Sequence, residues 1–267
     1  MILIALGLYG LLVAGATIWQ RQLLYFPTPL TPAEARQLAA EKQFEPWTNA
    51  VGEIIGWKMP ATGPAQGSVL IVHGNAGSAL NRNYIARPIH EAAAVDVYVL
   101  EYPGYGVRAG KPSQDAFFAA AEAAFAQMPA GRPRYVVSES IGTGVACELA
   151  KNHPAEVAGM VLFVPYHKLA WVAQQNFWFL PAYLFLLDRF DPESYLRDYR
   201  GPIKFVIAER DEAVGAKTGL KLARGYAGRK TIEVVPGAYH NEVEGQPVEW
   251  WQSVFGFWQG DKVPATQ

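Results

Sequence analysis

Apolar and polar positions alternate in blocks along most of this chain. Short apolar runs, bounded by Gly, Pro or charged residues, read EIIGW, SVLIV, DVYVL, RYVV, GMVLFV, IKFVIA and TIEVV in chain order. From SVLIV onward each run precedes a stretch that suits a helix, such as residues 115–128 and 248–259. Continuous apolar strands that alternate with helices are typical of a mostly parallel sheet covered on both faces. The pattern therefore predicts an α/β fold with a doubly wound sheet.

Two segments depart from this alternation. Residues 32–42 follow a Pro-rich hinge, FPTPLTP, and are predicted to form a short helix with a polar face. Residues 167–200 contain NFWFLPAYLFLL, a dense aromatic and leucine patch that is too short to span a bilayer. We interpret this segment as a short helical lid over an apolar site, or as a surface that dips into the membrane interface. A core segment is the alternative.

The N-terminal segment is apolar, and residues 1–19 carry no charged side chain. As a helix they would be roughly 28 Å long, close to the roughly 30 Å hydrocarbon core of a bilayer. Trp19 and Tyr25 flank Arg21, as expected at a membrane–water interface. We predict a single-pass anchor at 1–19 and one domain at 20–267. The basic residues after the helix are too few to fix the membrane side.

Two other interpretations of the N-terminal segment stay open. Ala14-Gly15-Ala16 resembles a signal-peptidase site, so a cleaved signal peptide and a secreted domain form one alternative. A buried core helix is the other.

Composition narrows the function classes. The net charge is −1 and no cluster of Lys or Arg occurs, which argues against a nucleic-acid partner. Cys147 is the only cysteine, so an intramolecular disulfide is excluded and a buried core thiol is expected. The run HGNAG after SVLIV lacks the G-x-G-x-x-G spacing of a dinucleotide-binding turn. No cofactor and no metal are predicted.

The candidate chemistry lies where strands end, because sites in doubly wound sheets form beyond the carboxyl ends of the strands. Ser140 follows RYVV, Asp211 follows IKFVIA and His240 follows TIEVV, which is the chain order expected of an α/β hydrolase. A serine hydroxyl needs a nearby base, and a neutral histidine serves when a carboxylate fixes its tautomer. We predict these three as nucleophile, orienting acid and base. Glu209 and Glu212 flank Asp211, which leaves open a surface role for that acid.

The same chemistry needs rigid N–H donors for the developing oxyanion. One predicted donor is the backbone N–H of Ile141, at the start of the helix after the nucleophile. The other is the backbone N–H of Asn75, in the loop after SVLIV, with Ala76 as the alternative. His73 and Gly74 are expected to support this loop, and His73 is interpreted as a hydrogen-bonding brace and not as a base.

The turn around the nucleophile reads SESIG, so Ser138 stands where the pattern G-x-S-x-G has its first Gly. The strained serine of such an elbow brings strand and helix close together, so both flanks must be small. Gly142 satisfies this need and Gly144 adds room one turn on. Ser138 adds only a Cβ and a hydroxyl, so we expect some packing strain and an unchanged role for Ser140.

Together these motifs resemble the α/β-hydrolase superfamily, and within it a group of membrane-anchored hydrolase-domain proteins. The resemblance covers about residues 18–258. Its motifs are QRQLLYFPTP (20–29), HGNAG (73–77), YPGYGVRAGKPS (102–113), SESIG (138–142), AERDEAVG (208–215) and GAYHN (237–241). The chain departs from the group's pattern at Ser138, Ala208 and Gly215, where the group has Gly, Gly and Pro.

The resemblance implies a serine hydrolase of a group that acts on lysophospholipids, monoacylglycerols or protein thioesters. With the predicted triad, it favours cleavage of small-molecule acyl esters or thioesters through an acyl-enzyme, in contact with a lipid bilayer. A peptidase or amidase with the same triad is one rival, and a catalytically silent, membrane-tethered binding module is another. Acyl length, natural substrate and oligomeric state stay open.

Overall fold

A single large sheet organises the chain in the computed structural model, which describes residues 1–260; the last seven residues of the predicted domain lie outside this range. The strands are β1 (Phe26–Pro27), β2 (Glu45–Thr48), β3 (Ile54–Met59), β4 (Gly67–Val72), β5 (Ala76–Gly77), β6 (Val95–Leu100), β7 (Arg134–Glu139), β8 (Val157–Phe163), β9 (Ile203–Ala208) and β10 (Lys230–Val235). The sheet has the order β10-β9-β8-β7-β4-β6-β3-β2. The pairs β2–β3 and β3–β6 are antiparallel and the other five pairs of this sheet are parallel, so the predicted mostly parallel sheet is confirmed.

Helices cover both faces of this sheet. They are α1 (Ile2–Leu24), α2 (Pro32–Lys42), α3 (Asn83–Ala92), α4 (Gln114–Gln127), α5 (Gly142–Asn152), α6 (Leu169–Asn176), α7 (Ala182–Phe185), α8 (Pro192–Tyr195), α9 (Ala216–Gly225) and α10 (Val248–Gln259). The predicted helices at 32–42, 115–128 and 248–259 correspond to α2, α4 and α10 within one residue. Local signals explain two starts: Thr31 forms a capping box with Glu34, and the Ser113 hydroxyl accepts the N–H of Ala116.

Two apolar layers pack against the central strands. One layer joins α4, α5 and α9 to side chains such as Leu70 and Val136, and it contains the buried thiol of Cys147. The other joins α3 and α10 to side chains such as Val69 and Val137. Successive side chains of a strand point to opposite faces, so the continuous apolar runs serve both layers. The strand before the candidate nucleophile, β7, is buried along its whole length.

The N-terminal helix α1 runs to Leu24, five residues beyond the predicted 1–19 segment. It is long and apolar enough to cross a membrane, and none of its residues is fully buried. It is therefore not a core helix. Its C-terminal end is fixed to the domain by Arg21, whose guanidinium Nε lies 3.0 Å from the Asp188 carboxylate. The Tyr25 hydroxyl donates to the same carboxylate at 3.0 Å.

The segment predicted as a lid, residues 167–200, contains the short helices α6, α7 and α8 and lies against α1. The Tyr9 hydroxyl donates to the Phe179 carbonyl oxygen at 2.9 Å, and the Gln20 side chain accepts the Leu187 N–H at 2.7 Å. At its other end this segment, called the lid below, packs on α5, and Phe190 lies directly over Gly144. A Cβ on Gly144 would come within 2.4 Å of the Phe190 ring.

Candidate active site

The three predicted triad residues meet at the carboxyl edge of the sheet. Ser140 follows β7, Asp211 follows β9 and His240 follows β10. The Nε2 atom of His240 lies 3.0 Å from the Ser140 Oγ, and its Nδ1 atom lies 2.9 Å from both Asp211 carboxylate oxygens. This geometry suits proton removal from the serine hydroxyl by a histidine that a carboxylate orients.

The turn at Ser140 is strained, as a nucleophile elbow requires. Ser140 has φ +50°, a left-handed conformation that is uncommon outside glycine, and its N–H donates to the Phe163 carbonyl oxygen at 3.0 Å. Gly142 is the position of closest approach, since a Cβ there would lie 2.3 Å from the Val72 carbonyl oxygen. Ser138 lies two residues before Ser140, inside β7, where its buried hydroxyl has no hydrogen-bond partner among residues 1–260.

Asp211 is held by its own loop. One of its carboxylate oxygens accepts the N–H groups of Ala213 and Val214 at 2.9 Å each and that of Gly215 at 3.3 Å. Burial alone would raise the pKa of Asp211, but the bond from His240 and these N–H groups hold that pKa below its ordinary value. Gly215 has φ +82°, which proline cannot adopt. A proline at this position would have no N–H, so Gly215 supplies the acid with a third donor.

The flanking acids have a different role. The Glu209 carboxylate accepts the Gly237 N–H at 2.8 Å, and the Glu212 carboxylate accepts the His240 N–H at 3.2 Å. Both therefore fix the backbone of the loop that carries His240, and only Asp211 reaches its ring. Burial would lower the pKa of His240, but the Asp211 carboxylate and the nearby charges of Glu244 and Glu212 raise it above 6.5.

The loop after β4 contains Asn75, the predicted oxyanion donor, and is called the oxyanion loop below. The Gly74 N–H is already used, because it donates to the Glu139 carboxylate at 2.8 Å. The next residue, Asn75, lines the active-site cavity together with Ile141, the other predicted donor. The Asn75 carbonyl oxygen accepts the Phe26 N–H and the Tyr105 hydroxyl, both at 2.8 Å, which fixes the orientation of this peptide.

A small sheet ties this loop to the end of α1. Strand β1 pairs in parallel with β5, so the Phe26 and Thr28 N–H groups donate to the carbonyl oxygens of Asn75 and Gly77 at 2.8 and 2.9 Å. The Asn75 side chain donates to the Leu24 carbonyl oxygen at 2.9 Å. The sequence did not predict this sheet, because a pair of two-residue strands leaves no periodic pattern.

Sequence reasoning also missed a buried ion pair beneath the loop. Glu139, the residue before the nucleophile, is paired with the Arg82 guanidinium and accepts the Tyr84 hydroxyl at 2.7 Å. Burial would raise the pKa of Glu139, but the Arg82 charge and the N–H of Gly74 hold it below its ordinary value. A charged residue between two serines at the end of an apolar strand is the signal that could have indicated this role.

His73 braces the loop from inside. It is fully buried, its Nδ1 lies 2.8 Å from the Gly74 carbonyl oxygen, and its ring packs on Tyr102. Burial and the Arg82 charge lower its pKa to about 3, so the ring is neutral. These contacts agree with the prediction of a structural brace and give His73 no access to the nucleophile.

A cavity of about 460 Å³ extends from the triad between α1 and the lid. Its size lies within the roughly 300–1,000 Å³ range of small-molecule sites. Ser140 and His240 lie at its polar end, near Glu244, whose pKa burial and the Glu139 charge raise to about 7. Apolar side chains of the helix and the lid form most of the remainder, including Val13, Val172 and Phe185. Within residues 1–260, no three His, Cys, Asp or Glu side chains are placed to hold a metal ion.

Comparison with known proteins agrees with this architecture. Residues 63–200 match the model of a family described as serine aminopeptidase, S33. That match includes the candidate nucleophile but ends before Asp211 and His240, so only the geometry supports the predicted roles of these two residues.

Individual proteins extend the similarity along the chain. The uncharacterized protein Rv2307c of Mycobacterium tuberculosis is 31% identical over 237 residues, which cover 85% of this chain and 83% of that protein. The α/β hydrolase domain-containing protein 17C of Xenopus tropicalis is 26% identical, over 78% of this chain and 67% of its own. The esterase Pf2001 of Pyrococcus furiosus superposes with a TM-score of 0.63 at 18% identity, over 88% of this chain and 98% of its own. The α/β-hydrolase fold that the sequence predicts is thereby confirmed.

Proposed function

We propose, since this chain belongs to the α/β-hydrolase family described as serine aminopeptidase S33, that it is a serine hydrolase of acyl esters or thioesters. The observation that carries the proposal is the contact between Ser140 and His240 at the end of a mainly apolar cavity. A lipid-like acyl group would lie in the cavity with its carbonyl carbon at Ser140. Such a site favours an apolar acyl group over a charged one, because most of the side chains that line it are apolar.

Acylation would start when His240 removes the Ser140 proton and the serine oxygen attacks the acyl carbonyl carbon. The N–H groups of Asn75 and Ile141 would stabilise the resulting oxyanion. His240 then returns the proton to the leaving alcohol or thiol as the bond to it breaks. In the second half, His240 deprotonates a water molecule, the hydroxide releases the acid from the acyl-enzyme, and the proton returns to Ser140.

Membrane association is part of this proposal. The outer faces of α1 and the lid expose large apolar side chains, which a soluble surface rarely carries in such density. They include Ile4, Leu8, Leu12, Ile18, Trp19, Trp178, Leu184 and Leu187. The charged group at the end of α1, Arg21, is paired with Asp188 and lies where the helix meets the domain. We propose that α1 and the lid face the bilayer together.

A second candidate is peptidase activity, which the family description names. One feature of the site favours it: Glu244 is 5% exposed and lines the cavity, where a carboxylate could pair with a substrate ammonium group. Glu244→Gln distinguishes the two functions. Peptidase activity would fall with this variant, whereas hydrolysis of a neutral acyl ester would be retained.

The test is labelling with a fluorophosphonate, followed by assays with p-nitrophenyl esters, acyl thioesters and aminoacyl arylamides. We expect wild type to label and to hydrolyse esters or thioesters faster than arylamides, and Ser140→Ala to lose both properties. Ser253→Ala is the matched control, since it removes an exposed serine hydroxyl on α10. Folded wild type that neither labels nor turns over any substrate would contradict the proposal and favour a catalytically silent binding module.

A further inference from the structure

One face of the N-terminal helix belongs to the active-site cavity. Val13, Ala16, Thr17 and Gln20 line the cavity that contains Ser140. Their spacing of three, one and three residues places them in one stripe along a helix. All four are partly buried, as is Gly15 between them, whereas Ala14, Ile18 and Trp19 are exposed. We call these four residues the inner stripe.

The inner stripe is held against the lid at both ends. Towards the N-terminus, the Tyr9 hydroxyl binds the Phe179 carbonyl oxygen at 2.9 Å. Towards the C-terminus, the Gln20 side chain binds the backbone of Leu187 and Phe185 at 2.7 and 3.3 Å. These bonds fix the rotation of α1, so the same side chains face the cavity. An anchor that only tethers a domain needs no such contacts.

The polar atoms of the inner stripe have partners within the chain. The Thr17 hydroxyl donates to the Val13 carbonyl oxygen at 2.8 Å, and the Gln20 amide also binds the Thr17 carbonyl oxygen at 2.7 Å. The stripe therefore offers methyl and methylene groups to the cavity, opposite lid residues such as Val172 and Phe185. An unbranched apolar chain matches this lining, whereas a charged or strongly polar chain would lose hydration without compensation.

We infer that the inner stripe and the lid together form the acyl-chain subsite, and that Val13 and Ala16 set the length of the linear fatty-acyl chain that the enzyme accepts. This inference rests on the proposed function, because it concerns the acyl group carried to Ser140. It makes α1 a specificity element of the enzyme in addition to its proposed contact with the bilayer.

The test compares Ala16→Trp with Ala14→Trp, which places the same side chain on the exposed face two residues earlier. Hydrolysis of p-nitrophenyl butyrate and dodecanoate is measured with the full-length protein in detergent, alongside fluorophosphonate labelling. Each methylene excluded from the subsite should lower kcat/KM about fourfold. We expect Ala16→Trp to lower the dodecanoate-to-butyrate ratio of kcat/KM at least tenfold, with labelling retained. Ala14→Trp should match wild type.

Val13→Ala makes the opposite change, and it keeps the test informative if the tryptophan variant misfolds. It should widen the subsite and shift the preference towards longer chains. Labelling with unchanged chain-length profiles in both Ala16→Trp and Val13→Ala would overturn the inference and leave the proposed function intact. If wild type neither labels nor hydrolyses either ester, the proposed function fails and the inference fails with it.

Discussion

At the scale of single residues, the bond between Asp211 and His240 should set the pH at which the proposed nucleophile Ser140 is activated. Since the pKa of His240 is raised and the ring acts as a base only when neutral, kcat/KM should rise with pH through a midpoint above about 6.5. Asp211→Asn removes the charge that raises this pKa. We expect a lower midpoint and a kcat loss on the order of 10³–10⁴-fold. A pH–rate profile checks this, and an unchanged midpoint would contradict it.

Glu244 links the site to the stability of the fold. Its pKa is about 7 in the folded chain against an ordinary value of 4.5, so the folded state holds a proton that the unfolded state has released between these values. Stability should therefore fall as pH rises from about 4.5 to about 7. Glu244→Gln removes this loss, for a gain of at most about 3 kcal/mol above pH 7 and none near pH 4. Urea unfolding of wild type and Glu244→Gln, near pH 4 and above pH 7, measures this difference in stability. An equal effect of the substitution at both pH values would contradict the raised pKa of Glu244.

Ser138 and Gly142 flank the nucleophile but should respond oppositely to alanine. Ser138→Ala removes a buried hydroxyl that lacks a partner in the described chain, so the free energy of unfolding should increase by about 1 kcal/mol with labelling retained. Gly142→Ala would press a Cβ into the Val72 carbonyl oxygen and should abolish labelling. Thermal unfolding with probe labelling compares the two. A destabilised Ser138→Ala would show that the hydroxyl has a partner.

The order of residues along the chain predicts that Ser140, Asp211 and His240 lie close together, because each follows a strand and parallel strands end at one edge. The structure brings the three side chains together, and their catalytic roles stay a prediction. The sequence could not show how Ser138, in place of glycine, affects the stability of the elbow. That effect depends on which atoms surround Ser138, whose buried hydroxyl has no hydrogen-bond partner among residues 1–260. Likewise, the charge of Glu139 at the end of an apolar strand hints at a buried partner, but the sequence could not show that this partner is Arg82, 57 positions away.

At the scale of elements, Asp188 is the point where α1, the lid and α4 meet. Its carboxylate accepts bonds from Arg21, Tyr25 and the Gln114 N–H. Asp188→Ala should leave these donors unpaired, lower the free energy of unfolding by about 2 kcal/mol and raise KM for long-chain esters, because the lid loses its attachment. Asp188→Asn keeps the shape and should lose less. Limited proteolysis within residues 177–188 and steady-state kinetics with long-chain esters test this prediction. Equal protection of the lid from proteolysis in wild type and Asp188→Ala would contradict it.

Helices and strands that form the body of the fold follow from local signals. Apolar runs mark the central strands, and Thr31 and Ser113 mark two helix starts. The contacts of α1 and the lid could not be derived in this way, since Arg21 and Asp188 are 167 positions apart. Neither segment carries a sequence signal that identifies the other as its partner. The stripe at Val13, Ala16, Thr17 and Gln20 also escapes a pattern search, because most of the helix is apolar and no face stands out by composition.

At the scale of the whole molecule, the proposed bilayer contact should govern access to membrane-borne substrate. Trp178 and Leu184 are 79% and 67% exposed on the lid. Replacing both with Ser should lower hydrolysis of a long-chain ester in vesicles several-fold, because less apolar area enters the bilayer. Activity on dissolved p-nitrophenyl butyrate should not change. Val51→Ser is the control, since Val51 is an exposed apolar residue on a turn between β2 and β3. Equal losses on both substrates would contradict this role for the lid.

The small sheet between β1 and β5 fixes the rotational phase of the N-terminal helix. Only Tyr25 separates the end of α1 from the strand that binds the oxyanion loop, so the helix cannot turn about its axis without moving that strand. One residue inserted before Arg21 would rotate the preceding turns by about 100° and carry Ala16 and Thr17 away from the cavity. Adding about four residues, roughly one full turn, would return the helix to nearly the same face. Activity should therefore be lost and regained periodically as residues are inserted into this helix. A helix that only tethers the domain could rotate freely, and activity would show no such period.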